Sequence, residues 1–234
     1  LDVGEGAQVV EIGCGPQGCL ELLARRVGPT GRVVGVERSE DAVVLAKAHI
    51  AENKLDTVEV INGDARATGL PHNTFDLVTA RLVLVNVPDP QEIVNEAVAL
   101  AHSGGQVAFH EADYIAHICD PPLKEWTRAV DLLEAYSAAN GIDLFIGRKT
   151  PGLLRSAGLV DVEATALVHV YPPGHARRPI LVDFLENLSD RLIDGGFTTH
   201  DELRAMIQQI STHIADPNTT VLSHLFIQAW GRKA

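Results

Sequence analysis

The chain has 234 residues, 46% of them apolar and 21% charged, with a formal net charge of −12 at pH 7. That length can bury one sizeable core, and the ordinary composition points to one globular domain with insertions. The acidic balance weighs against a nucleic-acid or anionic-membrane partner, which would need clustered Lys and Arg, and no apolar run is long enough to span a bilayer.

The three cysteines, Cys14, Cys19 and Cys119, form no even framework, which points to a reducing, cytoplasmic compartment. No secretory signal pattern is visible. The chain opens on Leu1 without Met and reaches its first strand almost at once, so helices upstream of this numbering are expected to be missing.

The first informative stretch is Val9-Val10-Glu11-Ile12-Gly13-Cys14-Gly15-Pro16-Gln17-Gly18. An apolar run ends in an acid, breaks into a glycine-rich turn, and gives way to helical spacing from Cys19 to Val27: strand, tight turn, helix start. Gly13 and Gly15 let a ligand approach the main chain, and the helix start offers unpaired N–H groups. Gly13-x-Gly15-x-x-Gly18 also matches the dinucleotide fingerprint, with Glu37 at about the spacing of ~20 residues from which an acid grips a ribose.

A second strand, Arg32 to Val36, ends at Glu37, and Ser39 caps the next helix with Glu40 and Asp41 in its first turn. Glu37 either accepts both hydroxyls of a ribose or decorates a helix start; its spacing favours the ribose. Val58 to Ile61 is a third strand, followed by Asn62-Gly63-Asp64-Ala65. Phe75 to Ala80 is a fourth, ending at Arg81. Asp89-Pro90 opens a helix that Ser103-Gly104-Gly105 ends, and Gln106 to Ala112 is a fifth strand. Thr150 to Gly158 reads as a short helix, Leu159 to Val170 as a strand, and Thr220 to Gly231 as the last one. Strands alternating with helices imply crossovers and a parallel sheet.

The acid-x-Gly-x-Gly pattern at Glu11, Gly13 and Gly15, the acids Glu37 and Asp64 at successive strand ends, and the closing hairpin split by a helical insertion resemble the class I S-adenosylmethionine (SAM) methyltransferases. The third glycine common in that family falls one step late, on Gly18 and not on Gln17. The resemblance implies a doubly wound, seven-stranded, mostly parallel α/β sheet with an antiparallel last strand. It implies SAM as cofactor and S-adenosylhomocysteine as product, held by Glu11, Gly13, Cys14, Gly15, Gln17, Gly18, Glu37, Arg38, Asp64, Ala65, Arg81 and Leu82. In the family an Asp at the place of Asp64 meets the adenine, and the segment from Arg81 to Pro90 lies at the sulfonium end. A His is common where this chain has Asn86.

Two insertions, 114–147 and 175–215, are expected to form helical caps. A helix within Asp120–Gly141 shows Leu123, Trp126, Val130, Leu133 and Tyr136 on one side. Pro179 to Asp194 and a helix opened by the capping box Thr199-x-x-Glu202 carry further apolar stripes. This surplus suits a substrate cap or a homodimer face.

Methyl transfer from SAM is an in-line displacement, and a base is needed only for a protonated nucleophile. The densest candidates follow the fifth strand: Glu111 and Asp113 on one face, His110 on the other, then Tyr114 and His117. Glu111 and Asp113 either orient an amine or hydroxyl or are solvated loop residues, and His110 reads as a packed, hydrogen-bonded histidine. No metal-ligand spacing appears. Cys14 has no His or Lys neighbour to activate it and reads as a small lining residue. The leading expectation is methyl transfer to a small apolar or amine-bearing acceptor. The alternatives are a non-catalytic or regulatory SAM-binding protein and, with less support, an NAD-linked oxidoreductase.

Overall fold

The structure is a computed structural model that describes residues 3–234. Its sheet has seven strands in the order β3-β2-β1-β4-β5-β9-β7. These are β1 Gln8–Ile12, β2 Arg32–Glu37, β3 Val58–Asn62, β4 Phe75–Arg81, β5 Ala101–Asp113, β7 Leu159–Leu167 and β9 Leu225–Lys233. The first five run parallel and β9 is antiparallel. Val9, Val10 and Ile12 of β1 are buried, as are Val33, Val34 and Val36 of β2 and Leu77, Val78 and Ala80 of β4. Strands covered on both faces need apolar side chains pointing both ways, which is why these runs are continuous and not alternating.

The helices around this sheet are α1 Leu20–Val27, α2 Glu40–Glu52, α3 Pro90–Leu100 and α5 Ile146–Ser156. In α1, Leu20, Ala24 and Val27 turn inward at helical spacing. Ser39 caps α2 as expected, its hydroxyl accepting the Ala42 N–H at 3.3 Å. Asp89 does not cap α3 in the expected way: it sits in the left-handed region at φ 55°, with no side-chain bond to the helix.

Three boundaries differ from the sequence reading. β5 starts at Ala101 and not Gln106, because a register shift against β4 between Phe75 and Leu77 takes up the Ser103-Gly104-Gly105 segment within the ladder. The helix read at 150–158 begins earlier, at Ile146. The last strand is broken in two. β8 Thr220–Val221 pairs antiparallel with β6 Cys119–Asp120 in a separate two-stranded sheet. Leu222 and Ser223 then donate to the carbonyls of Ile118 and His169 at 3.0 and 2.9 Å.

By packing, the chain divides into two compact units. The first holds the chain up to Glu111 with Gly147–Thr165 and Ile227–Ala234, and so contains most of the seven-stranded sheet. The second holds Ala112–Ile146 and Ala166–Phe226. The expected insertions fall in the second unit, apart from the single residue Gly147.

Within the second unit α4 Lys124–Ala139, α6 Ile180–Asn187 and α8 His200–Ala215 pack on one another. Trp126, Leu133, Leu181, Leu185, Leu203 and Ile210 fill the centre. The stretch 179–194 holds two helices, α6 and α7 Ser189–Asp194. The capping box opens α8: Thr199 Oγ1 accepts the Glu202 N–H at 3.3 Å, and the Glu202 carboxylate accepts the Thr199 N–H at 3.4 Å.

The unit also buries Arg178, whose guanidinium donates to the carbonyls of Ile214, Tyr171, Asp216 and Thr219. A planar fork of five donors can close several chain ends at once, as a lysine cannot. No helix among the described residues is long and apolar enough to cross a membrane.

Candidate functional site

Strand order reverses between β1 and β4, with β2 and β3 leading off one way and β5 the other. In an open α/β sheet the crevice outside the carboxyl ends at such a switch point is the ligand position. The turn after β1 and the turn after β4 meet there. They enclose a hollow of about 510 Å³ lined by Glu11, Gly13, Cys14, Gly15, Pro16, Gln17, Gly18, Arg81 and Leu82.

The turn after β1 is held at both ends by acids. Gly13 and Cys14 donate to the Val36 carbonyl at 2.8 and 3.2 Å. Gly15 N–H then donates to Glu37 Oε2 at 2.9 Å, and the other oxygen of Glu37 accepts from Ser39 N–H at 2.8 Å. Further along, both oxygens of the buried Glu11 accept the Cys19 N–H, at 2.9 and 2.8 Å. Gly18 lies between those partners at φ 54°, where a Cβ would stand 2.5 Å from the Cys14 carbonyl oxygen and 2.6 Å from Glu11 Oε2. The acid before the glycines and the late third glycine are therefore two halves of one clamp.

Burial pushes the Glu11 carboxyl up to about 7, only partly opposed by the Cys19 N–H and the charge of Arg81. Cys14 packs its sulfur against Gly35 and is buried. Burial, then the nearby charges of Glu11 and Glu37, pushes its thiol up to about 12, which makes it inert as a nucleophile.

The turn after β4 is strained and multiply tied. Leu82 stands at φ 57°, a region that leucine rarely adopts. Its N–H donates to the His110 carbonyl at 2.8 Å, and its own carbonyl accepts from Asn86 Nδ2 at 2.7 Å. The next three residues are held by one side chain: Glu111 accepts the N–H groups of Val83, Leu84 and Val85 at 3.1, 3.0 and 3.1 Å. Val83 in turn crowds Gly13, where a Cβ would come within 2.5 Å of Val83 Cγ2. Strain persists only where its surroundings over-determine it, and here Glu111 and Asn86 do so.

The expected carboxylates therefore have other work. Glu111 is 0% exposed, and its two oxygens accept three main-chain donors, so it shapes the loop. Asp113, also buried, accepts the Ile115 N–H at 3.1 Å and caps the short 3₁₀ turn of residues 114–116. His110 Nδ1 lies 3.2 Å from Gln228 Nε2, the hydrogen-bonded histidine expected. Strand alternation shows which side chains share a face, but not whether that face carries solvent or main chain.

On the far side of β2, Arg38 is exposed and Asp64 lies at the end of β3. The Asp64 carboxylate accepts the Arg66 N–H at 2.9 Å, and Ala65 is half-buried beside it. Asn62, given no role by the sequence reading, donates to the carbonyls of Glu37 and Arg38 at 3.1 and 2.9 Å and fixes that rim. Its only sequence signal was an amide at a strand end. Among the described residues no group of three or more His, Cys, Asp or Glu side chains could hold a metal ion.

The Methyltransferase domain family matches residues 4–143. The chain is 30% identical over 198 residues to an uncharacterized 37.1 kDa protein in transposon TN4556 of Streptomyces fradiae, covering 84% of this chain and 55% of that protein. It is 34% identical over 108 residues to demethylmenaquinone methyltransferase of Listeria monocytogenes, 46% of each chain. The chain thus spans about half the length of these curated relatives. In fold it is similar to Haemonchus contortus phosphoethanolamine N-methyltransferase 2, solved with phosphomonomethylethanolamine and S-adenosylhomocysteine. The TM-score there is 0.62 at 17% identity, covering 98% of this chain and 49% of that one. The chain belongs to the Methyltransferase domain family, the SAM-dependent methyltransferases of the class I fold.

Proposed function

We propose that the chain binds SAM in the hollow between the turns after β1 and β4 and transfers its methyl group to a small-molecule acceptor. The observation that carries this is the Glu37–Gly15 tie at the switch point. An acid at the end of β2 reaches the glycine turn, so a ribose lying against that rim would meet a carboxylate and a bare backbone together. The residues fit the cofactor. Gly15 faces open space with no atom near its absent Cβ, and the hollow lined by the glycine turn, Glu11, Arg81 and Leu82 has room for a nucleoside-sized molecule.

In this reading Glu37 takes the ribose hydroxyls, with Arg38 beside it, and Asp64 and Ala65 take the adenine edge. Gly13, Cys14, Gly15, Gln17 and Gly18 line the cofactor with backbone, Glu11 holds their path, and Arg81 and Leu82 close the opposite wall. SAM supplies an activated methyl group on a positively charged sulfur. The chain's own part is to bind, align and exclude water, since alignment alone can lower such a barrier by several kcal/mol. Glu111 and Asp113 are positioning residues here. The three unpaired thiols support a reducing, cytoplasmic setting.

Titration calorimetry with S-adenosylhomocysteine tests the reading. Wild type is expected to bind it and not NADH, and Glu37→Ala to bind it more weakly by roughly tenfold or more. Hydrogen bonds to a charged group are worth about 1.5–3 kcal/mol, and tenfold is about 1.4. Unchanged affinity in the variant would remove Glu37 from the ribose. Preference for NADH would replace the reading with an oxidoreductase. Tight binding without methylated product across a broad acceptor panel would favour a regulatory SAM-binding protein.

A further inference from the structure

The second unit contains a cluster that nothing in the cofactor site uses. His117 follows the short 3₁₀ turn of residues 114–116, and His224 lies between β8 and β9. Their exposures are 2% and 4%. Their rings lie tilted to one another, with centroids 4.2 Å apart and an interplanar angle of 42°. Neither ring nitrogen of His117, nor Nε2 of His224, has a hydrogen-bond partner in the protein.

Aromatic rings surround the pair. Tyr114 lies 4.1 Å and Phe226 6.1 Å from the His224 ring, and Trp126 lies 4.9 Å from that of His117. Trp126 cannot supply the missing partner, because its indole N–H already donates to the His117 carbonyl at 2.8 Å.

An unsatisfied buried polar atom costs about 1–3 kcal/mol, so three in one cluster are an expense that packing alone does not justify. Phenylalanine would fill the same space without it. The two rings lie close enough to have satisfied each other edge to edge, yet these three nitrogens stay unused. Burial keeps both rings neutral, lowering His224 to about 4 and His117 well below its ordinary value, the latter also by the neighbouring imidazole.

A neutral imidazole offers one N–H and one lone pair. Among the described residues no carboxylate, Lys or Arg charge acts on either ring, so neither an ammonium nor an anion finds a countercharge. A hydroxyl matches: it gives its proton to one lone pair and accepts the other ring's N–H. The aromatic walls suit a flat ring bearing that hydroxyl.

We propose that His117 and His224 form the polar floor of an acceptor site in the second unit, recognising the hydroxyl of a neutral planar ring compound. That this compound is the methyl acceptor rests on the methyltransferase reading; the binding site itself does not.

The probe is 1-naphthol, titrated into wild type, His117→Phe and His224→Phe, with naphthalene as the control lacking the hydroxyl. Wild type is expected to bind 1-naphthol, and each variant to bind it at least roughly tenfold more weakly, about the loss of one hydrogen bond of ~1.4 kcal/mol. Naphthalene binding and S-adenosylhomocysteine affinity are expected to stay unchanged. Should a variant fail to fold, imidazole ¹⁵N spectra of wild type decide, with 1-naphthol expected to move the His117 and His224 resonances. No binding to wild type, equal binding by well-folded variants, or unmoved imidazole resonances would overturn the proposal. Failure of wild type to bind S-adenosylhomocysteine would instead overturn the cofactor reading and leave the naphthol result standing.

Discussion

Gly18→Ala is expected to abolish measurable S-adenosylhomocysteine binding and to lower unfolding stability by on the order of 3 kcal/mol, combining a left-handed non-glycine residue with overpacking. Two contacts make the substitution severe. The new methyl group would lie 2.5 Å from the Cys14 carbonyl oxygen, which cannot yield without moving the glycine turn. It would also lie 2.6 Å from Glu11 Oε2, whose carboxylate holds the Cys19 N–H at the entrance to α1. Relief in either direction breaks the clamp that sets the backbone path around the hollow. Gly15→Ala separates path from space, since its Cβ would meet nothing within 4 Å and only its φ of 58° resists. It is expected to cost about 1 kcal/mol in stability, the conformational penalty alone. Calorimetry and urea unfolding on both variants measure the contrast. Equal effects in the two would mean that the Glu11–Cys19 clamp does not fix the turn.

This clamp also marks how far the sequence could be read. Glu11, Gly13 and Gly15 were legible because a strand, a turn and a helix start follow one another within a few residues, and Glu37 because it ends the next strand at a spacing of ~20 residues. The sheet was legible because buried parallel strands are continuous apolar runs, and helical spacing separates all but β3 and β4 among the first five. Glu111 and Asp113 could be placed but not partnered from sequence, because what they hold includes main-chain N–H groups. Val83, Leu84 and Val85 carry no side-chain sign that their amides need an acceptor. Arg178 and Asn62 escaped notice likewise, since each bonds to carbonyls that every residue type possesses. The broken last strand was hidden because Thr220 to Gly231 has strand-like composition throughout. Only the hydrogen bonds of Leu222 and Ser223 turn the chain aside.

Glu111 yields a prediction that separates charge from shape. Burial raises its carboxyl from 4.5 to about 7, outweighing the three N–H donors that favour the ionised form. With a folded-state pKa above the unfolded one, the folded protein binds the extra proton between those values. Stability from this group is therefore complete below about pH 4.5 and is lost as pH rises to about 7. Glu11 acts in the same direction. His117 and His224, with lowered values, act oppositely and add stability as pH rises toward 6.5, so wild type is expected to show a muted slope below that pH. Glu111→Gln carries no titrating proton, and its amide NH2 must face one of the three main-chain N–H donors, a constant cost at every pH. Its stability relative to wild type is therefore expected to improve from pH 5 to 7.5, by up to ~3 kcal/mol at 1.36 kcal/mol per pKa unit. Glu111→Ala behaves differently, because it strands three amides at every pH. It is expected to lose about 3 kcal/mol throughout, to let Leu82 relax from its left-handed conformation, and to weaken S-adenosylhomocysteine binding with it. Urea unfolding at pH 5 and 7.5 on all three proteins measures this. A constant difference between wild type and Glu111→Gln would show that the carboxylate titrates normally. Unaltered ligand affinity in Glu111→Ala would show that the strained turn does not need its anchor.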